Sequence, residues 1–250
     1  MCIIIYRPAD ATIPEADLRC YHKANSDSWG LMWADVAAAT SGHLQIQTGE
    51  GDYTSFDKAL RMVRGAVVVH LRTATTGRGG GIQPMRVNEN MGFAHNGNLF
   101  EFSPYFGQGY PADGLSDTAR FNRDILRRLP DNFLHDAKRM LALKDYVLDN
   151  FSKVVLMDST GRVCILGEEM GKWQDGCWYS NYGIRQYGGF GFSGLYYYEA
   201  SQRRHKGGLP NPGILTGNWV QCPTCLGYYL DLQGNCPSCC RYLALKGWTC

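Results

Sequence analysis

The residue best placed for nucleophilic chemistry is Cys2, directly behind Met1. Methionine aminopeptidases accept small second residues, so removal of Met1 would leave a free α-amine beside the thiol. One residue would then carry both nucleophile and base, because an α-amine with an ordinary pKa of about 8 can take the thiol proton directly or through water. A cysteine alone says little, since buried cysteines are mostly inert parts of a core. A second chemistry belongs to Cys222-Pro-Thr-Cys225 and Cys236-Pro-Ser-Cys239. Four thiolates from two tight CPxC turns can meet tetrahedrally around zinc. Iron fits the same four sulfurs, and two disulfides are the remaining alternative.

Rigid elements are needed to present such groups. The chain has 250 residues, 44% of them hydrophobic and 12% aromatic, enough to bury a full core. Lys and Arg number 25 against 23 Asp and Glu, a net charge of +2 that argues against nucleic acid or an anionic membrane as the main partner. The apolar run at residues 2–6 is too short for a signal peptide, and no stretch is long enough to span a bilayer, so the expectation is a cytoplasmic protein with reduced cysteines. That same β-branched run reads as a buried strand that would fix Cys2. Helical spacing follows over 14–25, a strand over 29–34 and a helix over 55–64. The run 65–70 reads as a strand buried on both faces that delivers Arg72. Residues 73–81 are a loop by composition, and a strand over 91–95 ends at Asn96-Gly97, a strong two-residue turn signal. Ser116-Asp117 marks a helix start, and 153–158 with 162–166 flank Ser159-Thr160-Gly161 as a hairpin. The aromatic stretch 176–198 fits strands or a loop, and 206–218 has linker composition.

Three segments follow Cys2 in order: His70-Leu71-Arg72-Thr73-Ala74-Thr75-Thr76-Gly77, Phe93-Ala94-His95-Asn96-Gly97-Asn98-Leu99 and Ser116-Asp117-Thr118. Together with Cys2 they resemble class II glutamine amidotransferases, whose motifs read H-T-R-[WY]-A-T-H-G, H-N-G-x-[IL] and S-D-[ST]. The resemblance runs from Cys2 to about residue 200, including the stretch Trp173 to Asn181. It implies an α+β, four-layer αββα sandwich of the N-terminal-nucleophile type over residues 1–205. It also implies Cys2 as nucleophile, with the Asn96 side-chain amide and the Gly97 N–H as an oxyanion hole. Arg72 would hold the glutamine α-carboxylate through its planar fork, Asp117 would receive the α-ammonium, and Thr75 would complete substrate binding. Thr73 stands where the family has an aromatic residue and Thr76 where it has histidine, which bears on substrate identity more than on reaction type. His70 and His95, each at the end of an apolar run, read as satisfied structural histidines rather than bases. The Gly77–Gly81 loop lacks the ending of a phosphate cradle and reads as a lid.

After a linker at 206–218, residues 219–250 read as a zinc-ribbon-like module in which Cys222, Cys225, Cys236 and Cys239 hold a structural zinc. No organic cofactor is expected. The implied reaction is hydrolysis of the L-glutamine amide through a Cys2 thioester, with ammonia passed to a separate protein, since the 250 residues hold no acceptor domain. It depends on removal of Met1. Two other functions fit the same residues: hydrolysis of another γ-glutamyl amide, and a catalytically silent protein that keeps the fold and docks through its metal module. The basic run Arg203 to Lys206 offers nucleic acid only weak support.

Overall fold

A computed structural model describes residues 2–35, 42–73, 81–102 and 114–181, together with the backbone of two strands at 218–221 and 228–231. Its first strand, β1 (Ile3–Arg7), precedes helix α1 (Glu15–Ala24) and the strands β2 (Ser28–Asp35) and β3 (His43–Glu50). Helix α2 (Tyr53–Met62) starts two residues earlier than the periodicity suggests because Asp52 caps it, accepting bonds from the Thr54 and Ser55 amides at 3.0 Å each. Such a cap contributes about 1 kcal/mol. Strands β4 (Val67–Arg72), β5 (Met85–Asn88) and β6 (Met91–Asn96) come next. Helices α3 (Asp117–Asp124) and α4 (Ala137–Asp149) follow, then β7 (Lys153–Asp158), β8 (Val163–Leu166), β9 (Lys172–Gln174) and β10 (Cys177–Tyr179).

Two antiparallel sheets result. One has the order β3-β2-β4-β1-β10-β9 and the other β5-β6-β7-β8. Strand alternation sends successive side chains to opposite faces and so defines three cores. In the first sheet Ile3, Ile5, Val67, Val69 and Leu71 pack against Leu18 of α1 and Phe56 and Leu60 of α2. In the second, Phe93, Val154 and Leu156 pack against Phe121 of α3 and Leu143 and Val147 of α4. The intervening residues Ile4, Met32, Val68, Ala94, Val155, Met157 and Trp178 meet one another between the sheets. The layers therefore run helix, sheet, sheet, helix, an α+β sandwich in keeping with the expectation. Close apposition of the sheets depends on Gly30, where a Cβ would lie 2.0 Å from the Gln83 carbonyl oxygen, and on Gly92, where one would lie 2.6 Å from the Met32 sulfur.

Strand β3, strand β5 and helix α4 have no counterpart among the expectations from sequence, whereas the β9–β10 hairpin falls almost wholly within 173–181, the stretch that resembles a late strand region. That hairpin turns on Asp175-Gly176, both with positive φ, between paired Gln174 and Cys177, the geometry that Asp-Gly favours. Strands β11 (Asn218–Gln221) and β12 (Tyr228–Asp231) pair antiparallel; Asn218 thus begins a strand at the end of the expected linker. Cys222, Cys225, Cys236 and Cys239 lie outside the described residues, as do Met1, Thr75, Thr76, the loop positions 77–80, all of 182–198 and most of the linker.

Candidate active site

Cys2 and Arg72 leave their strands on the same face as Ile4, Val68 and His70, towards the other sheet, since β1 and β4 pair with Ile4 opposite His70. Asn96 ends β6 on the face shared with Ala94, towards the first sheet. These side chains therefore converge at one end of the seam between the sheets. The Cys2 thiol, half-buried, lies 3.5 Å from the Thr73 carbonyl oxygen. Burial pushes this thiol up, while the Thr73 backbone and the Arg72 charge pull the other way. A base beside it, such as a free α-amine, is thus needed to form the thiolate near neutrality.

Asn96 is buried, and both hydrogens of its side-chain amide have acceptors: Ser180 Oγ at 2.7 Å and Asn181 Oδ1 at 3.0 Å. Ser180 extends the β1–β10 pairing, its N–H donating to the Ile4 carbonyl at 2.9 Å and its Oγ accepting from the Ile4 N–H at 2.8 Å. Asn181 in turn donates from Nδ2 to the Cys2 carbonyl oxygen at 2.5 Å. Neither residue had a role in the sequence reading, although the stretch that contains them was noted.

Asn96-Gly97 is not a hairpin turn. Asn96 pairs with Lys153, far along the chain, so the turn signal marks a strand end of another kind. Gly97 has φ +143°, and a Cβ there would fall 2.3 Å from Ser152 Oγ. Its backbone comes within reach of other groups because it carries no side chain.

Asp117 is the first residue of α3, whose cap is Ser116, accepting from the Ala119 amide at 3.2 Å. The Asp117 carboxylate accepts from the Leu99 amide at 2.9 Å and from its neighbour Thr118 at 2.8 Å. It ties the turn after Gly97 to the helix start, where a negative charge is favoured. Arg72 is half-buried and close enough to bias the Cys2 thiol. The Thr73 hydroxyl sits 3.1 Å from both the Ala24 carbonyl oxygen and Asn25 Oδ1, pinning the end of α1. The Thr73 side chain thus has a local structural task.

His95 fits the structural expectation: Nδ1 lies 2.8 Å from Thr118 Oγ1 and Nε2 3.2 Å from Ser152 Oγ. For His70, fully buried between the sheets, neither ring nitrogen makes a well-formed hydrogen bond among the described residues, although the His95 backbone lies near enough to favour the charged ring. Burial pushes His70 down to about 3, helped by the neighbouring His95 and Arg72, and His95 down to about 4. Such lowered values leave both rings neutral and weakly basic near pH 7.

No family model matches this sequence. No curated protein matches it either. Among solved structures, the glutamine phosphoribosylpyrophosphate (PRPP) amidotransferase from B. subtilis complexed with ADP and GMP aligns at a TM-score of 0.39 and 17% identity. It covers 72% of this chain and 41% of that one. A structure described as the allosteric regulatory enzyme of purine biosynthesis aligns at a TM-score of 0.40 and 20% identity, with the same coverages. The present chain spans about two-fifths of the length of these proteins. Likeness at this level carries no functional weight.

One consequence of the two buried histidines is measurable. Both have folded pKa values below the ordinary 6.5, so below that pH the unfolded chain binds protons that the native protein does not. Their contribution is fully present above pH 6.5 and is lost as pH falls towards 4. At pH 5 the pair should lower stability by roughly 4 kcal/mol relative to pH 7. Urea unfolding at the two pH values checks this, and His70→Leu should remove about half of the difference.

Proposed function

We propose that the protein is a glutamine amidotransferase of the class II type, hydrolysing the glutamine side-chain amide and supplying ammonia to a separate acceptor protein. The observation that carries this reading is the convergence of Cys2, Arg72 and the Asn96-Gly97 strand end at one mouth of the seam, with Asn96 joined to Cys2 through Asn181. In the proposed reaction the α-amine of Cys2, freed by loss of Met1, takes the thiol proton. The thiolate attacks the glutamine amide carbon, and the oxyanion is received by the Asn96 amide and the Gly97 N–H. The C–N bond breaks, the ammonium gives its proton to the departing nitrogen, and ammonia leaves. Water then hydrolyses the thioester and releases glutamate. Arg72 and Asp117 hold the α-carboxylate and α-ammonium, placing the amide against the sulfur.

Because the Cys2 sulfur is the attacking atom, Cys2→Ala should abolish glutamate release altogether even though the α-amine remains. Labelling by a glutamine-mimicking diazo-ketone should add one adduct to the wild type and none to the variant. An adduct that persists in Cys2→Ala would show the nucleophile to be elsewhere. Intact mass defines the species assayed: protein that has lost Met1 yet neither labels nor releases glutamate would sink the reading. We further propose that Cys222, Cys225, Cys236 and Cys239 hold one structural zinc, a donor set of four thiolates that suits it.

A further inference from the structure

We propose that Asn181 is a positioning residue that keeps the Cys2 nucleophile in register with Asn96; this rests on the amidotransferase reading. Its planar amide has a donor at one end and an acceptor at the other, and both are in use. Nδ2 donates to the Cys2 carbonyl oxygen at 2.5 Å, and Oδ1 accepts from Asn96 Nδ2 at 3.0 Å. Cys2 stands on one sheet and Asn96 on the other, so this amide spans the seam where the reacting atoms must meet. An aspartate would keep the acceptor and lose the donor, and alanine would lose both.

The bonds also define how a substrate carbonyl would enter. Asn96 Nδ2 has two hydrogens and both are engaged, so an incoming oxygen must displace one acceptor. Ser180 Oγ is fully buried and also accepts from the Ile4 N–H at 2.8 Å, which fixes it within the sheet. Asn181 is only half-buried and makes the longer bond. Its Oδ1 is therefore the acceptor that gives way, while its Nδ2 retains the Cys2 carbonyl. In the empty site Asn181 keeps the Asn96 amide aimed; in the loaded site it keeps the nucleophile in place.

The test uses the full chain after loss of Met1. Asn181→Ala should lower kcat for glutamine by one to two decades with KM changed less than threefold, since Arg72 and Asp117 remain. Asn181→Asp should give no rescue, because it cannot donate to the Cys2 carbonyl. Alkylation of Cys2 by iodoacetamide, which needs the thiol but not the oxyanion site, should stay within twofold of wild type. In 15N-labelled protein, one side-chain proton of Asn96 should lose its protection from solvent exchange in Asn181→Ala. A kcat within twofold of wild type, or unchanged Asn96 side-chain signals, would overturn the proposal. So would an equal loss of iodoacetamide reactivity, which marks general disruption. Wild-type protein that neither labels with the diazo-ketone nor releases glutamate defeats the amidotransferase reading instead; the Asn96 signals then decide the bridge by themselves.

Discussion

Asn96→Ala is expected to reduce glutamine turnover by two to three decades. Removing one donor from an oxyanion hole typically costs about 3 kcal/mol of transition-state stabilisation, because the remaining groups cannot reorganise to replace it in a site that excludes water. The side chain is also structural: its loss leaves Asn181 Oδ1 without its donor and a small void between the sheets. Ser180 Oγ keeps the Ile4 N–H, so the stability cost should stay at about 1–3 kcal/mol, and the variant should fold. Steady-state kinetics with glutamine, beside a thermal melt, separates the two effects. A variant that folds and keeps a kcat within threefold of wild type would remove Asn96 from the chemistry.

Gly97→Ala should affect stability and activity together. Here φ is +143°, which strains any residue bearing a Cβ, and the added atom would meet Ser152 at 2.3 Å to Oγ and 2.8 Å to Cα. Ser152 has no room to retreat. It is fully buried, its Oγ reaches the Asn98 carbonyl oxygen at 3.1 Å, and it also contacts the His95 ring. Backbone strain and overpacking together should cost on the order of 3–5 kcal/mol. For a domain of this size that corresponds to a melting temperature lower by roughly 10 °C. Any protein that remains folded must carry a displaced 97 N–H, so its kcat should fall by at least a decade. An unchanged melt would mean that the turn differs in solution.

The parts of this fold that are legible in the sequence are those whose signal is local. Residues Ile3–Arg7 and Val67–Arg72 form interior strands, and their continuous β-branched runs say so. Ser116 reads as a helix cap and serves as one. Strand His43–Glu50 is mostly polar and exposed at a sheet edge, so it lacks a buried run to betray it. Helix Ala137–Asp149 carries only a sparse sign, Asp136 as a cap followed by Leu143 and Val147 one turn apart. Asn96-Gly97 misleads for a related reason: turn propensity is a property of two residues, whereas the partner of Asn96 is Lys153. Asn181 was beyond reach altogether. Its task is defined by bonds to Cys2 and Asn96 across most of the chain, and nothing in a Ser-Asn dipeptide announces them.

The place of β1 in its sheet has a consequence for how the site can breathe. That strand lies between β4 and β10, paired with both. Local opening of a protein starts at edges and termini that few bonds retain, and interior strands separate only when the whole unit does. The strand that follows Cys2 is therefore held along both edges and is among the described segments that separate late. The nucleophile is in effect the fixed origin of the site's coordinate frame, and fit to a substrate must be achieved by side-chain rotation around it.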